Sequence, residues 1–333
     1  MSRHVVVGAG GIGRATSLAL AEAGHEVVLA SKSGVGRELP GVKRVAVDAT
    51  DRRALTALAE GAASLVNAVN PPTYTHWDRD WPPMAAAFLT AAQASGAGLV
   101  TIGNLYGYGP VDGPIHPGLP LAATGVKSRV RAQMWADALA AHQAGRVKAT
   151  EVRASDYFGP DIQPQASVLQ RFVFGPAAAG KAVRPFDGSP DAPHSWSYVP
   201  DIGAVAAALA TSDLGWGRAW HVPSGMPRSL AQAAADAAAF AGHPAPAIRP
   251  VAPWVRGLLG TFVPVIRELD ETAYQRERAF VIEAAETEST FGVTATPWQD
   301  ALAATLTAMG VVPAVASSRV RAPCRPQVPH ARR

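Results

Sequence analysis

A cluster of glycines near the N-terminus is the part of this sequence whose spacing predicts a chemistry most directly. The cluster reads Gly8-Ala9-Gly10-Gly11-Ile12-Gly13, follows a short apolar strand predicted over His4–Val7, and opens a helix predicted over Arg14–Ala23. The first glycine permits a tight turn, the second lets a pyrophosphate approach the backbone, and the third lets the helix pack against the strand. The helix N-terminus supplies free N–H groups for the phosphates. The cluster therefore predicts a dinucleotide-binding turn rather than a purely structural one.

The residues after the second predicted strand, Glu26–Ala30, indicate which dinucleotide is bound. A site for NAD usually places Asp or Glu there, about 20 residues after the glycines, to bind the ribose 2′-hydroxyl. This chain has Ser31 and Lys32 instead, so no carboxylate would repel a 2′-phosphate. Ser31 can donate a hydrogen bond, and positive charge can come from Lys32, Arg14 and Arg37. NADP is therefore favoured, with NAD as the alternative. The other interpretation of Lys32 and Arg37 is that they are ordinary solvated charges of a loop.

The elements that must hold this turn alternate between strands and helices. Further strands are predicted over Lys43–Val47, Ala63–Ala68, Gly98–Ile102 and Val147–Val152, and helices over Asp51–Glu60, Pro82–Ser95 and Thr124–Gln143. The alternation is typical of an α/β protein with a doubly wound parallel sheet, the Rossmann fold. We expect residues 1–158 to form an NAD(P)-binding Rossmann domain. Residues 159–310 are expected to form a smaller α/β substrate-binding part, partly interleaved with it, with helices over Asp201–Thr211, Ser229–Ala241 and Trp298–Met309.

The end of the chain explains why the protein is basic overall. Residues 311–333 contain five arginines and no acidic residue, and subtracting them from the net charge of +4 leaves −1 for the rest. This segment also contains four prolines and has no apolar period, so we expect a disordered basic tail. The only cysteine, Cys324, lies in it, so neither a disulfide nor a cysteine-based metal site is expected within the chain.

Composition and patterning argue against several classes of function. Because the basic charge is confined to the tail, nucleic acid is not an expected partner. No apolar run approaches the roughly 18 residues of a membrane span, and nothing resembles a signal peptide, so we expect a cytoplasmic location. The isolated histidines lack metal-ligand spacing, so no metal is expected. The expected partner is a small-molecule substrate, and a homodimer is an option.

Five further segments resemble a known family. They are Val47-Asp48-Ala49-Thr50-Asp51, Ser64-Leu65-Val66-Asn67-Ala68-Val69-Asn70, Thr101-Ile102-Gly103-Asn104-Leu105-Tyr106-Gly107, Arg153-Ala154-Ser155-Asp156-Tyr157-Phe158-Gly159-Pro160 and Ser197-Tyr198-Val199-Pro200-Asp201-Ile202. In order and spacing they resemble the short-chain dehydrogenase/reductase superfamily, and more narrowly its extended branch, the NAD(P)-dependent epimerase/dehydratase family. The resemblance implies that Asp48, with Ala49 beside it, contacts the adenine. It also implies a cofactor-lining role for Ala68, Val69, Asn70 and Tyr157.

The residues expected to perform the chemistry depart from the family pattern. The resemblance implies a YxxxK motif, in which the lysine holds the ribose and lowers the pKa of the tyrosine that transfers a proton. Lys127 matches this lysine, but Ala123 stands at the tyrosine position. Thr101 and Asn104 lie nearest the expected active serine and could polarise a carbonyl. Tyr106, after the fifth strand, is the best substitute proton donor, with a bound water as the other option and packing against cofactor or substrate as its alternative role.

Two aromatic clusters are expected to line a substrate pocket, together with the tyrosine after the fifth strand. Trp77 and Trp81, with Tyr74, follow the fourth strand, whereas His194 and Trp196 precede a helix of the second part. Aromatic walls with few charges favour an apolar or ring-bearing substrate. The alternative is that both clusters form core between the two parts.

These observations predict an NAD(P)-dependent enzyme with atypical chemistry. We interpret the chain as an atypical extended short-chain reductase or an epimerase/dehydratase relative that acts on a small metabolite. Ala123 is also what a non-catalytic NADP sensor or regulatory protein would show. A nucleotide-sugar epimerase or dehydratase is a further alternative. The sequence argues against it, because the second half shows no clear Arg/Lys cluster that could bind a diphosphate.

Overall fold

The computed structural model describes residues 1–71, 74–252, 254–255 and 271–314, apart from the side chains of Tyr74 and Pro164. The strands are β1 (Arg3–Val7), β2 (Glu26–Ser31), β3 (Val42–Ala46), β4 (Ser64–Asn67), β5 (Gly98–Asn104), β6 (Ala149–Ala154), β7 (Tyr157–Phe158), β8 (Ser197–Tyr198) and β9 (Ala219–His221). Seven of them form one parallel sheet in the order β3-β2-β1-β4-β5-β6-β9. The direction of winding reverses between β1 and β4, where sheets of this kind bind ligands at their carboxyl ends. The expected doubly wound parallel sheet is confirmed.

Helices cover both faces of this sheet. Those described are α1 (Gly11–Glu22), α2 (Arg52–Ala59), α3 (Trp77–Ser95), α4 (Val126–Gln143), α5 (Gly175–Ala178), α6 (Val199–Thr211), α7 (Leu230–Phe240), α8 (Tyr274–Glu277), α9 (Ala285–Phe291) and α10 (Trp298–Ala308). Successive strand residues point to opposite faces, so an all-apolar strand can fill two cores. Val6 of β1 packs in one core with Leu20 of α1 and Ile202 of α6. Its neighbour Val5 packs in the other with Phe88 of α3.

The second half of the chain builds a third core and also returns to the sheet. This core combines a π-helix, Leu169–Phe174, with α5, α7 and α10. The short strands β7 and β8 pair beside it. Between these elements, β9 adds to the edge of the sheet next to β6, and α6 packs on α1. The sheet therefore includes a strand from the second half of the sequence, and a helix from that half covers one of its faces.

Element bounds depart from the sequence-based expectations at a few places. Asp51 and Ser229 precede their helices and accept hydrogen bonds from the first-turn backbone, as N-cap residues do. Helix α3 begins at Trp77, so Pro82 and Pro83 lie inside it rather than at its start. Strand β9 was not predicted, because three residues are too short for a periodic pattern.

The predicted tail lies almost entirely outside the described residues. Its first residues are an exception: Val311 packs against the third core, and the Ala314 N–H donates to the Phe240 carbonyl. Within the described part of the chain, no helix is long and apolar enough to cross a membrane.

Candidate cofactor and substrate site

The glycine turn has the geometry that a dinucleotide requires. Gly8 has a φ of 114°, and a Cβ on it would lie 2.3 Å from the Ala68 carbonyl oxygen. A Cβ on Gly13 would lie 1.7 Å from the Gly8 carbonyl oxygen, so only glycine lets α1 approach the turn. A Cβ on Gly10 would meet nothing within 4 Å. That open space lies at the N-cap of α1, where the unsatisfied N–H groups of the helix can receive a pyrophosphate.

A cavity of about 990 Å³, here called the first cavity, opens over this turn at the carboxyl ends of β1, β2 and β4. Most of the residues predicted to bind the cofactor line it, namely Gly8, Ala9, Gly10, Gly11, Ile12, Arg14, Ser31, Lys32, Asp48, Ala49, Ala68, Val69, Asn70 and Tyr157. Gly13 lies below it and acts through packing. Lys127 does not line it.

The far end of the first cavity carries a mixed charge. Lys32 is 88% exposed, and its Nζ lies 3.3 Å from Oδ2 of Asp48. Hydrogen bonds from the backbone N–H and hydroxyl of Thr50 hold the pKa of Asp48 below its ordinary value, so Asp48 is ionised at neutral pH. The Ser31 hydroxyl accepts a hydrogen bond from the Gly34 N–H. The residues directly after β2, Lys32 and Ser33, include no carboxylate, but Asp48 shares the cavity wall with Lys32.

A loop after β7 closes over the glycine turn. Ile162 fills the space beside Gly11, where a Cβ would come within 2.2 Å of its side chain. Asp161 has a φ of 60°, and its carbonyl accepts a hydrogen bond from the Arg14 guanidinium. Its carboxylate pairs with Arg37 at 2.8 Å. Arg37 therefore holds this loop and does not line the cavity, contrary to the expected phosphate contact.

A second cavity of about 430 Å³ continues from the first. Both are lined by Ile12, Ala68, Val69, Asn70, Pro71, Tyr157, Gln163 and Ala166. The second cavity extends past the carboxyl ends of β5 and β6, where Asn104, Tyr106 and Trp77 line it. It is also lined by charged residues that were not predicted to contact substrate, namely Arg131, Asp156, Arg171, Asp187 and Arg276. The prediction of a pocket with few charges is therefore wrong for this cavity, which combines aromatic ring faces with several charged side chains.

Tyr106 is fixed in the wall of the second cavity. Its ring stacks on Trp77 at a centroid distance of 5.9 Å and an interplanar angle of 23°. Its backbone N–H donates to Oδ1 of Asn104 at 3.2 Å, and its carbonyl accepts from the Tyr274 hydroxyl at 3.5 Å. Asn104 thus orients the turn that carries Tyr106. Thr101 lies earlier in β5, at the register of Glu151 and Asn67, and lines neither cavity.

The lysine implied by the family resemblance lies away from both cavities. The Lys127 side chain is 1% exposed, and its Nζ lies 3.4 Å from Oε2 of Glu271. The other carboxylate oxygen of Glu271 accepts the backbone N–H groups of Lys127 and Ser128 at 2.8 and 3.2 Å. Glu271 therefore neutralises the lysine and also caps the N-terminus of α4. Ala123 donates its N–H to the Gly107 carbonyl and packs on Gly109.

Three residues predicted to contact substrate lie in the packed interior instead. Trp81 is fully buried beneath the Arg131 guanidinium, 4.1 Å from its ring centroid. His194 and Trp196 pack on each other with centroids 4.0 Å apart. None of the three lines either cavity, because each ring is covered by neighbouring side chains. Burial lowers the pKa of His194 to about 4, so its imidazole is neutral.

Arg276 is the functional candidate that sequence reasoning missed most clearly. It lies in α8, and its guanidinium makes two hydrogen bonds to Asp187, at 2.7 and 2.6 Å, and one to Asp156 at 3.1 Å. All three residues line the second cavity. Asp156 lies in the segment from Arg153 to Pro160 that resembles the family, and this was the available signal. No group of three or more His, Cys, Asp or Glu side chains suited to a metal occurs among the described residues.

Comparisons with known proteins agree with this fold. Neither a protein-family model nor a curated protein matches the chain. Solved structures do match. An epimerase from Methanothermobacter thermautotrophicus has a TM-score of 0.75 at 17% identity, covering 93% of this chain and 92% of its own. A dTDP-glucose 4,6-dehydratase from Streptomyces venezuelae with NAD bound has a TM-score of 0.73 at 17% identity, covering 93% and 97%. The UDP-glucose 4-epimerase of Thermus thermophilus in complex with NAD has a TM-score of 0.72 at 18% identity, covering 93% and 100%.

These likenesses define the class of fold. The chain folds as these epimerases and dehydratases do, along nearly its full described length. The fold implied by the family resemblance is therefore confirmed. The residues that differ from the family pattern, above all Ala123, bear on the activity rather than on the fold.

Proposed function

We propose that this protein is an NADP-dependent oxidoreductase that interconverts a carbonyl and an alcohol on a ring-bearing small metabolite. The observation that carries the proposal is the continuity of the two cavities. One lies over the dinucleotide turn, the other is walled by Tyr106 and Trp77, and they share Tyr157 and Asn70 at their junction. A substrate in the second cavity would therefore abut a cofactor held in the first.

The residues of the first cavity fit a phosphorylated dinucleotide. The open cradle at Gly10 would take the pyrophosphate, and Ser31 and Lys32 stand where the adenine ribose is bound in this fold. The cation at Lys32 and the absence of a carboxylate at the end of β2 support NADP over NAD. When bound, the nicotinamide would supply the reducing equivalents.

Residues of the second cavity would donate the proton and hold the proton donor in place. Tyr106 would donate the proton of its hydroxyl to the carbonyl oxygen of the substrate, and Asn104 holds the backbone that positions the phenol. The indole of Trp77 stacked on Tyr106 limits the movement of the phenol and excludes water from one side.

The walls of the second cavity indicate the kind of substrate. Ring faces come from Trp77, Tyr106 and Phe186, while Arg276 and Arg171 offer hydrogen-bond donors. Such a lining suits a cyclic molecule that carries hydroxyl or other polar substituents.

The test measures binding and turnover separately. Purified protein is titrated with NADPH and NADH, and then mixed with NADPH and a panel of ketones, aldehydes and enones while the absorbance of the reduced nicotinamide is followed. We expect tighter binding of NADPH, oxidation with at least one ring-bearing ketone, and a large loss of turnover in Tyr106→Phe with unchanged NADPH affinity. Wild-type turnover in Tyr106→Phe would remove the phenol from the mechanism, and a clear preference for NADH would refute the NADP assignment.

A non-catalytic NADP sensor is the second candidate, and a specific contact favours it. Lys127 is neutralised by Glu271, and Ala123 lacks a phenol, so the pair that normally uses the nicotinamide is lost. Tight NADPH binding without turnover across the whole panel would favour this function.

A nucleotide-sugar substrate has one observation in its favour. Beside the second cavity lies a surface pocket of about 410 Å³ to which Arg171, Lys181 and Arg184 contribute, and none of the described residues that line it is acidic. Three cations together could hold a diphosphate. The neighbours from Streptomyces venezuelae and Thermus thermophilus are named for dTDP-glucose and UDP-glucose, so both sugars belong in the substrate panel.

A further inference from the structure

Ser155 lies in the wall of the second cavity, directly after β6. It is 6% exposed, and its backbone N–H donates to the Ser197 hydroxyl at 3.0 Å, which fixes the residue in place. Its own hydroxyl oxygen lies 3.2 Å from Nε2 of His194, a residue that lines neither cavity. Ser155 therefore connects the cavity wall to a buried imidazole.

The hydrogen bonds of His194 decide which way the Ser155 hydroxyl points. Nδ1 of His194 lies 2.9 Å from the Gln275 carbonyl oxygen, and because a carbonyl oxygen can only accept, Nδ1 carries the proton. Burial lowers the pKa of His194 to about 4, so the imidazole is neutral at neutral pH. Nε2 then has a lone pair and no hydrogen. Ser155 therefore donates its hydroxyl hydrogen to Nε2.

The imidazole is held in this orientation by its neighbours. Its ring packs against the rings of Trp196 and Phe280, at centroid distances of 4.0 and 5.4 Å. Since the ring has no room to turn between them, the direction of the hydrogen bond from Ser155 is a fixed property of the folded chain.

The oxygen of Ser155 keeps its capacity to accept. A hydroxyl has one hydrogen and two lone pairs, and the hydrogen is used by His194. Within the described part of the chain, no group donates to this oxygen. An unpaired acceptor in a largely buried wall costs free energy, so a ligand that donates to it is favoured over one that cannot.

A second acceptor lies beside Ser155. Oδ2 of Asp156 lies 3.6 Å from Nε2 of His194 and accepts a hydrogen bond from Arg276 at 3.1 Å. The other carboxylate oxygen, Oδ1, has no donor among the residues that the structure describes. Asp156 also lines the second cavity. Two neighbouring side chains of this wall therefore offer acceptors to a ligand.

We propose that Ser155 is a specificity-determining residue of the second cavity, whose oxygen accepts a hydrogen bond from a hydroxyl or N–H group of the substrate. This inference rests on the proposed function, because it concerns the molecule that reacts there. His194 acts through Ser155, since by taking the hydroxyl hydrogen it leaves Ser155 able only to accept. With Asp156 alongside, the cavity selects rings that carry two adjacent donors over the corresponding ethers.

The test compares two probes that differ in their donors, namely the cis vicinal diol of cyclohexane and its dimethyl ether. Each is titrated into the protein with NADP present, and binding is followed by NMR of isotope-labelled histidine, so no turnover is needed. We expect the diol to bind about tenfold to hundredfold more tightly than the ether. We also expect the diol to shift the Nε2 resonance of His194, because a donor to Ser155 strengthens the hydrogen bond that Ser155 makes.

Variants separate this hydrogen bond from the larger size of the ether. Ser155→Ala should reduce the preference for the diol by about tenfold and abolish the shift of the His194 resonance. Ser195→Ala is the matched control, because Ser195 is a buried serine outside both cavities whose oxygen already accepts the Ile282 N–H. It should keep the wild-type preference.

Several outcomes would overturn the proposal. They are equal affinity for the two probes, a diol that neither binds nor shifts His194, and an unchanged preference in Ser155→Ala. The NMR spectrum of the wild-type protein gives a further check that does not depend on the folding of any variant. A proton found on Nε2 of His194 instead of Nδ1 would reverse the hydrogen bond and refute the assignment of Ser155 as an acceptor.

Turnover then separates this proposal from the proposed function. A preference for the diol that depends on Ser155, without oxidation of NADPH by any substrate, would refute the reaction and leave the acceptor site intact. Equal kcat/KM for a cyclic hydroxyketone and its methyl ether would refute the selection and leave the reaction intact.

Discussion

Gly10→Ala should separate folding from cofactor binding in this protein. Gly10 has φ −70° and ψ −176°, an extended conformation open to any residue, and its new methyl would meet nothing within 4 Å. The entropy lost from the unfolded chain offsets the poorer N-cap, so the free energy of unfolding should change by less than about 0.5 kcal/mol. The methyl would stand where the pyrophosphate must approach the α1 N–H groups.

The expected loss of affinity follows from that approach. A phosphate oxygen held at hydrogen-bond distance from these N–H groups leaves no room for a methyl between them. Losing one charge-assisted hydrogen bond costs about 1.5–3 kcal/mol, which corresponds to a roughly tenfold to hundredfold weaker binding of NADPH.

Gly13→Ala is the matched variant, and unlike Gly10→Ala it should disturb the fold itself. Its Cβ would lie 1.7 Å from the Gly8 carbonyl oxygen, whereas ordinary contact begins at 3.4 Å. To restore ordinary contact, helix α1 would have to move away from the turn by the difference, which is about 1.7 Å. Such overpacking costs about 1–3 kcal/mol, so Gly13→Ala should lower stability and NADPH affinity together.

The assay pairs urea unfolding of the cofactor-free protein, followed by tryptophan fluorescence, with NADPH titration by calorimetry. Gly10→Ala should unfold at the wild-type midpoint and bind NADPH weakly. Wild-type affinity in Gly10→Ala would mean that no pyrophosphate lies over this residue, and the cofactor site argued from the turn would be refuted.

Three further predictions concern the ionisable side chains Lys32, Lys127 and His194. Lys32→Ala should weaken NADPH binding about fivefold and leave NADH binding unchanged, because an exposed cation contributes about 1 kcal/mol; equal losses for both cofactors in calorimetric titrations would contradict a 2′-phosphate contact. Lys127→Met should change NADPH affinity less than about threefold but lower the urea midpoint, since Glu271 loses its buried partner; a large loss of affinity would place Lys127 on the cofactor instead. The pKa of His194 falls from 6.5 to about 4 on folding, so the unfolded chain takes up its proton first and stability falls by up to about 3 kcal/mol as pH drops through that window. His194→Gln should flatten this dependence in urea midpoints taken at each pH, and an unchanged slope would show that another group causes it.

The cofactor half of the site could be predicted because its signal is local. The glycine spacing, the apolar strand before it and the missing acid after Ala30 all lie within a few dozen residues, and each has a direct physical reading. The start of α3 could not be placed this way. A proline such as Pro82 usually marks the first turn of a helix, but here the helix begins five residues earlier, at the buried Trp77.

The charged residues of the second cavity could not be predicted, because only the fold brings them together. Arg276 is an unremarkable arginine in the sequence, and only contact with Asp187 and Asp156 places it in a cavity wall. His194 and Trp196 failed for the reverse reason. An aromatic cluster in sequence looks the same whether its rings line a pocket or pack on each other.

The return of the chain to the sheet at β9 constrains how a growing polypeptide can mature. While synthesis has reached only residue 158, β6 has an open edge where Ala219–His221 will pair, and the face that α6 will cover beside α1 is bare. An unpaired parallel edge next to exposed apolar side chains invites association with other chains. A chain cut at residue 158 should therefore aggregate rather than fold as a free-standing nucleotide-binding module. Protection by chaperones would matter most during the interval before α6 and β9 leave the ribosome.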